Sequence, residues 1–109
     1  MKKVLHLDCT LRDGGYYNNW NFDKNLVNKY LFAMKSINID YVEIGFRFIE
    51  QDKKKGKLAY CSEGYLNSLI IPKGIKIAVM INASDFIKDG NYQKDLIKKF
   101  FVKKKKNQK

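Results

Sequence analysis

The pair Arg12-Asp13 sits inside the run Leu7-Asp8-Cys9-Thr10-Leu11-Arg12-Asp13-Gly14-Gly15, where the residue types best suited to chemistry gather. A guanidinium beside a carboxylate, placed where a strand has just ended, can ligate a metal ion and stabilise an oxyanion. Val4 to Leu7 supplies the apolar strand, and Gly14-Gly15 most simply permits a sharp turn after it. The same two side chains can instead pair with each other and cap that turn. His6, the single histidine, shares strand parity with Asp8 and therefore its face; it reads as a packed histidine or as a catalytic one. Cys9 and Cys61 lack the short spacing of a metal pair and are expected as thiols. Nothing in the sequence supplies Cys9 with a base, so it reads as a small buried thiol near a strand end.

Three segments must position these groups. Residues 3–9, 41–46 and 75–81 are short apolar runs enriched in Val and Ile, as expected for parallel strands covered on both faces. Between the first two, Asp23 is a natural N-cap for a helix with Leu26, Val27, Tyr30, Leu31, Met34 and Ile37 on one stripe. Ser62 caps a shorter helix carrying Tyr65, Leu66, Leu69 and Ile70, stopped by Pro72. Asp89-Gly90-Asn91 leads into a last helix with Leu96, Ile97, Phe100 and Phe101. The order β-α-β-α-β-α requires a parallel sheet with crossover helices. Strand starts near 3, 41 and 75 give intervals of 38 and 34 residues. Eight such units match a (β/α)8 barrel of about 250 residues and upward, and three make less than half of one.

With 109 residues and 45% hydrophobic content, the chain is at most one domain and has enough apolar side chains for a core. No run of about 18 apolar residues exists, so no membrane span is expected. The start Met1-Lys2-Lys3-Val4 lacks the apolar middle of a signal peptide, and the expected location is the cytoplasm. The net charge of +11 raises a nucleic-acid reading, but its distribution argues against one. Five lysines lie in the tail 102–109, leaving +6 on the body, and only two basic residues are Arg. Arg is the residue that reads bases and grips phosphates bidentately. Abundant Lys, Asn, Ile, Tyr and Phe fit A/T-rich coding DNA instead. Another cluster, Lys53-Lys54-Lys55-Gly56-Lys57, falls in a predicted loop.

Asp8-Cys9-Thr10-Leu11-Arg12-Asp13-Gly14 resembles the Asp-Thr-Thr-Leu-Arg-Asp-Gly signature of metal-dependent Claisen-condensing and retro-aldol TIM-barrel enzymes. These include isopropylmalate and homocitrate synthases, hydroxymethylglutaryl-CoA lyase and 4-hydroxy-2-oxovalerate aldolase. Tyr41-Val42-Glu43-Ile44-Gly45-Phe46 is similar to that family's second strand, which ends in a Glu-hydrophobic-Gly step. The resemblance implies an α/β fold: a partial (β/α)8 TIM barrel, its first three β/α units over 1–102, followed by a basic, disordered tail at 103–109. It implies metal-assisted C–C bond cleavage or formation through the enolate of a 2-oxo acid such as pyruvate. In this resemblance Asp13 is the carboxylate that ligates a divalent cation (Mn, Mg or Zn). Arg12 stabilises the enolate oxygen, and Glu43 supports the site from close by.

Two departures accompany the resemblance. Cys9 replaces the first Thr, and Gly15-Tyr16-Tyr17-Asn18-Asn19-Trp20 replaces the synthases' Gln-containing segment, pointing toward an aldolase-like branch. Tyr16, Tyr17 and Trp20 either line a substrate pocket or pack a long loop. The family's His-x-His metal pair on a late strand has no counterpart, since His6 lies in the first strand. The competing expectation is a truncated, non-catalytic product acting through self-association or a partner chain. The lysine run at 103–106 fits a string of A nucleotides, where reading frames slip. Three units leave an unpaired parallel edge and an uncovered apolar face, which self-association would hide.

Overall fold

A computed structural model describes residues 3–101. The tail expected to be disordered at 103–109, and the end of the domain at 102, lie outside the described residues. Strands β1 (Leu7–Asp8), β2 (Tyr41–Phe46) and β3 (Lys76–Met80) form a sheet in the order β1-β2-β3, both pairings parallel. Helices α1 (Thr10–Asn18), α2 (Lys24–Ser36), α3 (Glu63–Ser68) and α4 (Lys94–Phe100) punctuate it, with short 3-10 turns at Lys57–Ala59 and Ala83–Phe86. A separate antiparallel hairpin pairs β4 (Ile87–Lys88) with β5 (Asn91–Tyr92).

β2 is the centre of the packing. Its alternation sends Val42 and Ile44 to full burial, each worth about 1.5–3 kcal/mol relative to exposure. They share one core with Val27 and Leu31 of α2, Leu66 of α3 and the adjacent Leu69. Of the expected α2 stripe, Val27 and Leu31 are buried and Tyr30 and Met34 half-buried, whereas Leu26 and Ile37 stay exposed (52% and 63%). Its cap forms, with Asn25 N–H donating to Asp23 Oδ1 at 2.7 Å. Ser62 likewise accepts from Tyr65 N–H at 3.2 Å. Helix α3 stops at Ser68, before Leu69 and Ile70, because Leu69 is already extended (φ −80°, ψ 154°) ahead of Pro72.

Three expectations are corrected. The strand over 3–9 pairs only at Leu7 and Asp8, and Val4, Leu5 and Leu7 stay exposed (72%, 57% and 52%). β1 is an edge strand, and no described element packs over those side chains. The sharp turn at Gly14-Gly15 is instead the middle of α1. Asp8 starts that helix, accepting from Thr10 N–H at 3.2 Å and from the Thr10 hydroxyl at 2.9 Å. Gly15 is needed there for closeness rather than for a turn: a Cβ would sit 1.8 Å from Trp20 Cδ1. Finally, Asp89-Gly90 does not simply lead into a helix. Both residues have positive φ (52° and 79°), the geometry of a two-residue hairpin turn, and join β4 to β5.

Candidate active site after β1

Arg12 lies in the first turn of α1, directly after β1, and Glu43 lies in β2. Their contact joins residues 31 apart in sequence: Arg12 Nε donates to Glu43 Oε1 at 2.6 Å, with the side chains 20% and 14% exposed. The hydrogen bond to Glu43 raises the Arg12 pKa further above its already high ordinary value, overriding the opposing effect of burial. Arg12 Nη1 lies 3.8 Å from Asp13 Oδ1. Nη2 has no hydrogen-bond partner among the described residues. The guanidinium is thus gripped on one side and open on the other.

The backbone places Glu43 with some care. Register against β3 shifts between Glu43 and Gly45, a bulge of the kind that re-aims side chains beside sites. Gly45 is held there because a Cβ would meet Leu58 O at 2.0 Å, so the 3-10 turn can press directly on the strand. The Glu-hydrophobic-Gly step is therefore a close-packing device next to a carboxylate.

Beside this pair is a network that the sequence reading did not single out. The Asp8 carboxylate accepts from Thr10 twice and from the Tyr30 hydroxyl of α2. Burial, then the bond to Asp8, pushes the Tyr30 phenol up to about 12. Asp at one position and an N–H two residues on is an Asx-turn signal that was legible; the reach of Tyr30 across 22 residues was not. His6 enters only through its backbone, donating to Asp40 Oδ2 at 2.9 Å and accepting from Asp40 and Tyr41 N–H.

The three aromatic candidates separate. Trp20 is 4% exposed, and its indole N–H donates to Arg12 O at 2.9 Å, pinning the arginine's backbone. It stacks edge-on with Phe46 and Phe48. Tyr16 touches the Trp20 and Phe46 rings yet stays 63% exposed, and Tyr17 is 98% exposed. Asp13, expected to hold a metal, has a 74% exposed side chain. Among the described residues no three His, Cys, Asp or Glu side chains converge on a metal site. The donors described here do not fit a complete site, and Asp13 supplies one carboxylate. Both cysteines are free thiols; burial pushes the Cys61 thiol up to about 12.

A second arginine, Arg47, follows β2 and was also missed, although a cation between Phe46 and Phe48 is a visible signal. It is 6% exposed. Its guanidinium donates to Cys61 O (3.0 Å), Phe100 O (2.6 Å) and Glu63 Oε1 (3.0 Å). Near it a cavity of about 760 Å³ runs along the outer edge of β3, lined by Ile75, Ile77, Val79 and Phe101. It does not include Arg12 or Glu43.

No helix among the described residues is long and apolar enough to cross a membrane. No family model matches the chain, and no curated protein does. Among solved structures, the chain is similar to the N-terminal domain of a presumed aldolase from Bacteroides vulgatus, with 39% sequence identity and a TM-score of 0.65. The match covers 75% of this chain and 27% of that one, so the chain spans about a quarter of its neighbour's length. The likeness supports an aldolase-like relation for this small α/β unit with its three-stranded parallel sheet.

Proposed function

We propose that this chain provides the opening strands of an aldolase- or lyase-type site acting on a 2-oxo acid such as pyruvate. In this reading the three parallel strands are the first units of a TIM barrel. The bond that breaks joins the carbon α to the carbonyl and the hydroxyl-bearing carbon beyond it. The hydroxyl gives its proton to a base supplied by the rest of the barrel, and its carbon leaves as a carbonyl. The electron pair moves through the α carbon onto the 2-oxo oxygen and an enolate forms. Arg12 donates to that oxygen through its open Nη2 edge, and the negative charge is stabilised where it develops. Glu43 orients the guanidinium through Nε. Asp13 offers one carboxylate to a divalent cation (Mn, Mg or Zn), which would polarise the same oxygen when bound; no step depends on it here.

The observation that carries the reading is the half-engaged Arg12 guanidinium, which follows the C-terminal end of β1 and is gripped by Glu43 of β2 at 2.6 Å. Sites of parallel α/β folds gather at that end. The likeness to a presumed aldolase's N-terminal domain agrees. A second reading, a non-catalytic chain that works through self-association or a partner, is favoured by the apolar cavity on the open edge of β3.

The two readings part on one titration. Oxalate, a planar mimic of the pyruvate enolate, should shift the backbone amides of residues 10–16 and Glu43 in the 109-residue chain, with or without magnesium. Arg12→Gln should remove the response, weakening binding by about tenfold or more. No response at millimolar oxalate, or an equal response in the variant, would sink the enolate reading.

A further inference from the structure

We propose that the segment after β2 forms a binding pocket for a small phosphate-bearing anion, such as a phosphate ester or diphosphate. This goes beyond the enolate reading and does not rest on it. A cavity of about 390 Å³ is lined by Lys53, Lys55, Lys57, Asn21 and Tyr60, with Asp52 as its one carboxylate. That volume lies within the usual range for small-molecule sites, about 300–1,000 Å³.

Lys53, Lys55 and Lys57 line one concavity, and their like charges repel each other unless something neutralises them. The protein does not. None of Lys53, Lys54, Lys55 or Lys57 has an ion-pair partner within 4.0 Å among the described residues. Asp52 Oδ1 accepts from the backbone N–H of Lys54 at 2.9 Å, so that oxygen is already committed. Elsewhere Lys3 does pair with Asp40, at 3.4 Å. The excess positive charge in the pocket is left for a ligand.

The wall is also built rather than loose. The Tyr60 hydroxyl accepts from Asp52 N–H at 2.7 Å and donates to Asp52 O at 3.0 Å. Gly56 N–H donates to Asn19 O at 2.8 Å, and the Asn21 amide donates to Lys54 O at 3.1 Å. A Cβ on Gly56 would sit 2.4 Å from Trp20 O, so the segment lies tight against the end of α1. Lys55 Nζ rests over the Phe48 ring at 4.3 Å and the Trp20 ring at 5.8 Å, which orients one ammonium in advance. Trp20 is the same residue that pins Arg12 O, so Lys55 packs against a ring that also holds the arginine's backbone.

Phosphate is the group this chemistry selects. It carries about −1.5 to −2 charges at neutral pH and three strong acceptor oxygens. Clustered lysines bind it as point charges, without the planar fork that carboxylate pairing favours. A concavity of this size with no Arg fits a small ligand better than an extended nucleic-acid track.

The test is titration of the 109-residue chain with inorganic pyrophosphate, read by amide shifts and calorimetry. Shifts should concentrate at Asn21 and residues 51–60. Lys53→Gln with Lys57→Gln, which leaves the packed Lys55 in place, should weaken binding about tenfold while the melt is unchanged. Changing Lys103, Lys104, Lys105 and Lys106 to Gln should leave the affinity as it was. Loss of binding in that tail variant, or retention in the loop variant, overturns the proposal. So does tighter binding of single-stranded RNA that the loop variant does not affect, which would mark a diffuse polyanion surface instead.

Discussion

Arg12 and Arg47 follow neighbouring parallel strands, each beside a glutamate, and they are used in opposite ways. Arg47 is 6% exposed and donates from all three of its nitrogens, two of them to backbone carbonyls, at Cys61 and Phe100. The Phe101 ring lies 4.9 Å from its guanidinium carbon. Arg12 is held through Nε alone, with Nη1 only near Asp13 and Nη2 open. A guanidinium has five N–H donors in a rigid fork. Where the chain itself satisfies them, the residue is a clamp; where one edge stays open, it is a receptor. Arg47 ties the 3-10 turn, α3 and the end of α4 to β2, whereas Arg12 is oriented and left available.

The sharpest way to break this contrast is to truncate each arginine. Arg47→Ala leaves two carbonyls and a carboxylate without their donor, and unfolding in urea should show a loss of about 3–5 kcal/mol. Arg12→Ala should cost about 1 kcal/mol, because its lost partner is one partly exposed carboxylate that water can reach. Equal losses at the two positions would refute the division into clamp and receptor.

How much of this was legible beforehand differs between the regions for a physical reason. β2 at Tyr41–Phe46 and the α2 helix with its Asp23 cap came straight from period and capping chemistry, which are local. The Arg12–Glu43 contact was anticipated only through the resemblance, which set Glu43 of the second motif close to the site that Arg12 of the first belongs to. Its distance depends on the bulge and on Gly45 meeting Leu58 O, neither of which has a sequence period. The helix at Thr10–Asn18 was hidden by Gly14-Gly15, since glycine is read as a turn former while here it admits an indole ring. The Arg47 clamp draws its acceptors from residues 14, 16 and 53 positions away, so only the bare cation between two phenylalanines was visible. Asp89-Gly90 between Lys88 and Asn91 did carry a hairpin signal.

Alkali should probe the clamp side selectively. Cys61 is fully buried beside Arg47, donating to Leu58 O at 3.3 Å, and burial lifts its thiol to about 12 despite the opposing pull of the arginine. In the unfolded chain a thiol ionises near its ordinary value, about 8.5. The folded state therefore keeps a proton that the unfolded state has lost. This contribution is fully present below about pH 8.5, falls as pH rises, and is gone above about 12, at up to about 1.4 kcal/mol per pH unit. Urea midpoints measured from pH 8 to 10.5 should fall accordingly. Cys61→Ala should start lower at pH 8 and decline less steeply; parallel slopes would show that the thiol does not titrate as buried.

The smallest expected effect is the most informative about the receptor side. Glu43→Gln keeps an oxygen to accept from Arg12 Nε but removes the charge that raises the guanidinium's pKa. The contact is 14–20% exposed, so the stability change should be at most about 1 kcal/mol. If Glu43 only neutralised Arg12, its removal would free the cation and tighten oxalate binding markedly. If it positions Arg12, affinity should change by less than about threefold, while the amide shifts at residues 10–16 shrink as the guanidinium samples more orientations. Rotamer freedom regained by Arg12 then offsets the extra attraction. Glu43→Asp, with its shorter reach, should reproduce the smaller shifts while keeping the charge. A variant set in which charge alone predicts affinity would make Glu43 a counter-ion rather than a positioning residue.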